Sequence, residues 1–122
     1  MKFYICNHCK QIITKLSDKN IPVMCCGQIM QELVAGTTEA SQEKHIPVYT
    51  LNNNILTVNV GSTLHPMTEE HFIEWVCIET NLGSQLHHLT PNTEPTTEFL
   101  LADNEQVLNV YAYCNLHSLW KA

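Results

Sequence analysis

Cys114-Asn115-Leu116-His117 places a thiol and an imidazole one short turn apart. Upstream, Glu43-Lys44-His45 and the run His65-Pro66-Met67-Thr68-Glu69-Glu70-His71 supply three more imidazoles. Zinc is satisfied by four tetrahedral ligands, whereas four nitrogens and one sulfur suit an iron with a preferred geometry and an open position. That combination implies redox chemistry on a small ligand. A second set lies near the N-terminus, where Cys6-x-x-Cys9 is followed, after fifteen intervening residues, by Cys25-Cys26. Four thiolates in two close pairs are the ligand count of a tetrahedral sulfur site. Adjacent cysteines reach one ion only through a distorted tetrahedron, which iron and zinc both tolerate, so the spacing leaves the metal open.

These groups need supports. The first 26 residues hold four of the six cysteines and few apolar side chains. Segments below about 40 residues rarely fold on their own core, so a metal is expected to staple this one. Gly27 follows the cysteine pair, and Gly36 precedes the polar stretch 37–42, read as a linker between a domain at 1–36 and one at 37–122. From His45 onward, strand signals succeed one another. Ile55–Val60 puts Leu56, Val58 and Val60 on one face, the period-2 pattern of a half-buried strand. Segments 72–80, 85–89, 96–101 and 107–113 continue the series, the last with Leu108, Val110 and Ala112 on one face. Turn residues separate them. This spacing predicts an all-β chain folded as an antiparallel sandwich or barrel, without a long helix or a repeat. Loops on such a scaffold can gather ligands that lie far apart in sequence.

Composition limits the functions available. The 122 residues are 44% hydrophobic and 15% charged, the balance of an ordered globular chain. Twelve acidic residues stand against six lysines and no arginine, a formal charge of −6. That excludes a general nucleic-acid or anionic-membrane surface and still permits one local positive spot. No segment reads as a signal peptide or approaches the roughly 18 apolar residues of a membrane span, so a cytoplasmic protein is expected. In a reducing compartment, six cysteines are expected as metal ligands or thiols and not as disulfides. Several residues are set aside. His87 and His88 would point to opposite faces of a strand, and His8 sits inside the first cysteine knuckle facing solvent. Cys77 reads as a core thiol, and Trp75 and Trp120 as packing.

Taken together and in order, Cys6-x-x-Cys9 with Cys25-Cys26, Glu43-Lys44-His45-Ile46-Pro47-Val48, Val60-Gly61-Ser62-Thr63-Leu64-His65-Pro66-Met67, His71-Phe72-Ile73-Glu74-Trp75 and Cys114-Asn115-Leu116-His117-Ser118-Leu119-Trp120 resemble desulfoferrodoxin, the two-iron form of superoxide reductase. The resemblance spans nearly the whole chain. It implies a small desulforedoxin-like (rubredoxin-like) N-terminal domain with iron on Cys6, Cys9, Cys25 and Cys26, followed by an immunoglobulin-like β-sandwich. There it implies a second iron with His45, His65, His71 and His117 equatorial and Cys114 axial. It further implies reduction of superoxide to hydrogen peroxide, with Lys44 attracting the anion and Glu43 binding the oxidised iron after turnover. A homodimer and a rubredoxin-type electron donor are implied in the same way. Lys10 stands where relatives commonly have glycine, which strains the knuckle if that position needs a positive φ.

Two readings from other classes compete. One is a zinc-stapled module whose histidines only store or buffer metal, and the other is a rubredoxin-like electron carrier in which only the four-cysteine iron matters.

Overall fold

A computed structural model describes all 122 residues, in two compact units, Met1–Val34 and Ala35–Ala122. In the first unit, β1 (Phe3–Ile5), β2 (Ile12–Thr14), β3 (Met24–Cys25), β4 (Gln28–Ile29) and β5 (Gln31–Leu33) are all three residues or fewer. β1 lies between β2 and β5 in an antiparallel sheet, and β3 pairs with β4. Two tight turns shape the unit. The knuckle at 6–11 closes with Lys10 N–H on Cys6 O at 2.8 Å and Cys6 N–H on Gln11 O at 2.9 Å, and Lys10 takes the positive φ of 69° that glycine would adopt without strain. The β3–β4 hairpin turns on Cys26 and Gly27, at φ 52° and 72°, the left-handed pair of a type I′ turn.

The second unit opens with a single helical turn, α1 (Gln42–His45). Seven strands follow: β6 (Pro47–Asn52), β7 (Ile55–Val60), β8 (Ile73–Thr80), β9 (Gly83–His88), β10 (Thr96–Leu100), β11 (Val107–Cys114) and β12 (Ser118–Lys121). They form two antiparallel sheets, ordered β10-β7-β6 and β12-β11-β8-β9. Leu56, Val58 and Val60 of β7 are fully buried, as their alternation requires, and they share a core with Val76, Ile78, Phe99, Val110, Ala112 and Cys114. The all-β reading holds.

The differences from the sequence reading have local causes. β6 is not singled out by the sequence because it begins on proline and is an edge, paired only with β7 and exposed from Val48 on, so it shows no buried alternation. β12 was hidden behind the Cys114–His117 motif. The turn after β8 is shorter than its residues suggest, so Gly83 and Ser84 already pair in β9. The stretch 37–42 is not wholly linker, since Gln42 starts α1. Leu108 does not join Val110 and Ala112. Val107 pairs with Thr80 and Asn109 with Glu79, which leaves Leu108 as the extra residue of a bulge and 57% exposed.

Candidate metal centres

Cys6, Cys9, Cys25 and Cys26 bring their sulfurs within 4.8 Å of one another. The Cys9–Cys25 and Cys25–Cys26 sulfur pairs stand 3.6 and 4.0 Å apart. A tetrahedral ion with metal–sulfur bonds of about 2.3 Å sets its sulfurs roughly 3.8 Å apart, so the cage is the right size. The neighbouring cysteines share it because one ends a strand and the other sits in the left-handed turn. Backbone N–H groups of the knuckle, led by that of Cys9, pull the Cys6 thiol down to about 6. Hydrogen bonding to Cys6 and then Cys9 pushes Cys25 up to about 12. One sulfur ionises readily and a neighbour keeps its proton, the state that a single cation displaces. No disulfide is present, and all six cysteines are free.

The second cluster lies at one end of the sandwich. α1 delivers His45, the single loop between β7 and β8 delivers both His65 and His71, the end of β11 delivers Cys114, and the β11–β12 turn delivers His117. The imidazoles form a square. His45 and His65 have ring centroids 4.6 Å apart, His65 and His71 4.6 Å, His71 and His117 5.0 Å, and His117 and His45 4.9 Å, each pair edge-on. The diagonal from His45 to His71 is longer, 6.3 Å, with the rings tilted by 30°. His45 Nε2 stands 3.1 Å from both His65 Nε2 and His117 Nδ1, so His117 presents the opposite ring nitrogen from its neighbours. Cys114 Sγ lies 3.9 Å from His117 Nδ1 and groups with His45, His65 and His71 within 4.8 Å.

The supporting contacts favour metal binding. His45 Nδ1–H donates to Ser41 O at 2.7 Å, and His65 Nδ1–H to Pro66 O at 2.6 Å, which leaves each Nε2 as a lone-pair donor aimed inward. His71 Nε2 is buried with no hydrogen-bond partner. An orphaned buried nitrogen beside three other imidazoles costs free energy unless a cation takes it. Burial, with smaller repulsion from neighbouring cations, lowers the proton affinity of His45, His65 and His71, that of His65 to about 4. The rings are thus neutral near pH 7. Cys114 is fully buried, and loss of hydration raises its thiol pKa while N–H groups of Leu116 and His117 oppose that rise.

Two of the set-aside residues behave as expected. His8 is exposed, and Cys77 is buried, its thiol pushed to about 11 by desolvation. His87 faces inward over Phe99 with ring centroids at 4.2 Å, whereas His88 is exposed. Trp120 does more than fill space. Its indole lies 4.8 Å from the His45 ring, and its Nε1–H donates to His117 O at 2.9 Å, so it braces two imidazoles at once. Sequence reasoning missed this, and it missed the Ser41 carbonyl, which backbone geometry alone supplies. Glu43 and Lys44 are exposed on α1, immediately before the buried His45. Lys44 is close enough to depress the proton affinity of His45 and His71.

A family model described as Desulfoferrodoxin matches residues 37–122. The chain belongs to the desulfoferrodoxin family. A desulfoferrodoxin from Clostridium acetobutylicum is 41% identical over 122 residues, all of this chain and 95% of that one. A superoxide reductase from Treponema pallidum is 36% identical, with a TM-score of 0.84 over 99% of this chain and 97% of that one. The 1Fe superoxide reductase from Giardia intestinalis is 32% identical, with a TM-score of 0.56 over 66% of this chain and 95% of its own. The sulfur cage and the imidazole–cysteine cluster match the two iron centres of the desulfoferrodoxin family.

Proposed function

We propose that the chain is a superoxide reductase, an oxidoreductase that converts superoxide to hydrogen peroxide without releasing oxygen. The observation that carries this reading is the square of four imidazoles with the buried Cys114 sulfur beside it. In this reading His45, His65, His71, His117 and Cys114 hold one iron, and Cys6, Cys9, Cys25 and Cys26 hold the other within an N-terminal domain at 1–36. The catalytic domain is 37–122. Iron held by these residues would supply the single electron that superoxide accepts. Two protons complete hydrogen peroxide.

The protein's own residues solve a charge problem. Residues 35–122 carry ten acidic side chains and only two lysines, Lys44 and Lys121, so this unit repels an anion at long range. Lys44, beside His45, supplies a local attraction that operates within about a Debye length of 10 Å at 0.1 M salt. Burial of Cys114 excludes water from the sulfur, which strengthens its electron donation relative to a solvated thiolate. Glu43, exposed on α1 two residues before His45, is the carboxylate that would bind the oxidised iron between turnovers.

We place the protein in the cytoplasm as a homodimer reset by a rubredoxin-type one-electron donor. Six free thiols support a reducing compartment, and no helix is long and apolar enough to cross a membrane. The deciding experiment follows superoxide decay and peroxide yield by pulse radiolysis with the iron-loaded protein. One peroxide per superoxide, without oxygen, is the expected yield. Cys114→Ser should slow the reaction by about 100-fold or more, since it replaces the one soft donor of the set. An undiminished rate in that variant would refute the assigned site.

A further inference from the structure

Gly61, buried at the end of β7, adopts φ +88°. A Cβ there would stand 2.3 Å from Thr63 O, 2.8 Å from Glu43 O and 2.8 Å from Lys44 Cα. All three are backbone atoms, which cannot rotate aside. The chain after Gly61 aims two donors at one carbonyl: Thr63 N–H reaches Glu43 O at 3.1 Å, and Ser62 Oγ–H reaches it at 3.3 Å. The same turn closes on itself through His65 N–H and Val60 O at 3.0 Å.

The segment it grips is weak by itself. α1 is four residues long, and Ser41 makes no side-chain cap. Its internal bonds are Ile46 N–H to Gln42 O at 2.9 Å and a longer Lys44 N–H to Ser41 O at 3.3 Å. A lone turn of helix is unstable in water, so its place must be imposed from outside.

We propose that Gly61, Ser62 and Thr63 form a clamp that positions Glu43 and Lys44 over the imidazole cluster. The absent Cβ lets the two backbones meet, and the paired donors pin the Glu43 carbonyl. The Glu43 carboxylate then swings from a fixed backbone while Lys44 keeps its station. The clamp also links the two segments that carry His45 and His65. This inference rests on the roles assigned to Glu43 and Lys44, and adds what holds them.

A double-mutant cycle tests it on the iron-loaded protein, together with single-residue amide exchange by mass spectrometry. Gly61→Ala should lower the second-order rate with superoxide about tenfold, the scale on which misplacement by a fraction of an ångström is felt. Lys44→Ala should slow low-salt capture about fivefold in the wild-type background and less than about twofold in Gly61→Ala, because a displaced lysine has little left to lose. Thr63 amide protection should fall at least about tenfold in Gly61→Ala. Equal Lys44→Ala factors in both backgrounds would overturn the clamp, and so would a Thr63 amide that exchanges freely in wild type. Should Gly61→Ala fail to load iron, Ser62→Ala carries the cycle, with an expected loss of about threefold from one donor and the same non-additivity with Lys44→Ala. If wild type itself leaves superoxide intact, the functional reading fails, and amide exchange still decides the clamp.

Discussion

The two units solve the same problem, holding a metal, in opposite ways. In Met1–Val34 the strands are at most three residues long, and Phe3, Cys6 and Met30 are its only buried apolar residues. Cys9 and Cys26 are exposed, so no apolar core encloses the sulfur cage. In Ala35–Ala122 a packed core exists before any metal is considered, and the cluster is set at its edge. Cys114 shows the join, belonging both to the hydrophobic core and to the imidazole cluster. A metal is therefore expected to hold the first unit together, whereas the second unit has a core that needs none.

Metal removal should expose that difference most strongly. A chelator at neutral pH should unfold the first unit outright, while the β-sandwich keeps its cooperative melt, since domains this small depend on the ion for their folding free energy. Alkylation followed by peptide mapping reads the outcome. Cys6, Cys9, Cys25 and Cys26 should be modified and Cys77 spared, because burial holds the Cys77 thiol near 11 and the sandwich shields it. Simultaneous loss of both units would break the comparison.

The reciprocal perturbation is a cavity in the sandwich. Phe99 is 1% exposed and lies in the core with Leu56 and Val58. Phe99→Ala should destabilise the second unit by about 3–5 kcal/mol in denaturant melts. The visible band of the sulfur-bound iron should survive, and its disappearance at the same midpoint would mean that the units unfold as one.

A smaller effect concerns acid. The Thr80 hydroxyl at 2.7 Å and the Ala102 N–H at 2.8 Å hold the Glu105 carboxyl below its ordinary value of 4.5. A depressed folded-state value means that its stabilisation is complete above pH 4.5 and fades as pH falls through the lowered value. Glu105→Gln should therefore reduce stability at neutral pH slightly and leave it unchanged in strong acid. A loss that persists in strong acid would assign the effect to packing.

Sequence and structure divide along physical lines. The cysteine pairs, the alternation of β7 and the thiol–imidazole motif were legible because each is local. Ligand types at fixed spacing, or a period of two, need no knowledge of distant residues. β6 was illegible because an edge strand owes its state to pairing with β7, and Leu108 left its expected face because a bulge depends on the partner strand's register. The second bulge, where Tyr113 pairs with Trp75 but Cys114 with Ile73, leaves Glu74 of β8 as the extra residue, again by register.

The sequence by itself determined which donors exist, how many metals they can hold, the β character of the chain and its acidic charge. Only the tertiary structure decided that four imidazoles from three separate segments stand in a square and that His117 offers Nδ1. It alone revealed that Trp120 braces two of those imidazoles and that Gly61 admits Glu43 and Lys44 to their place. The physical reason is range. Ligand chemistry and strand periodicity are properties of neighbouring residues, whereas a square of nitrogens and a close approach of two backbones are set by packing between segments that the sequence keeps apart.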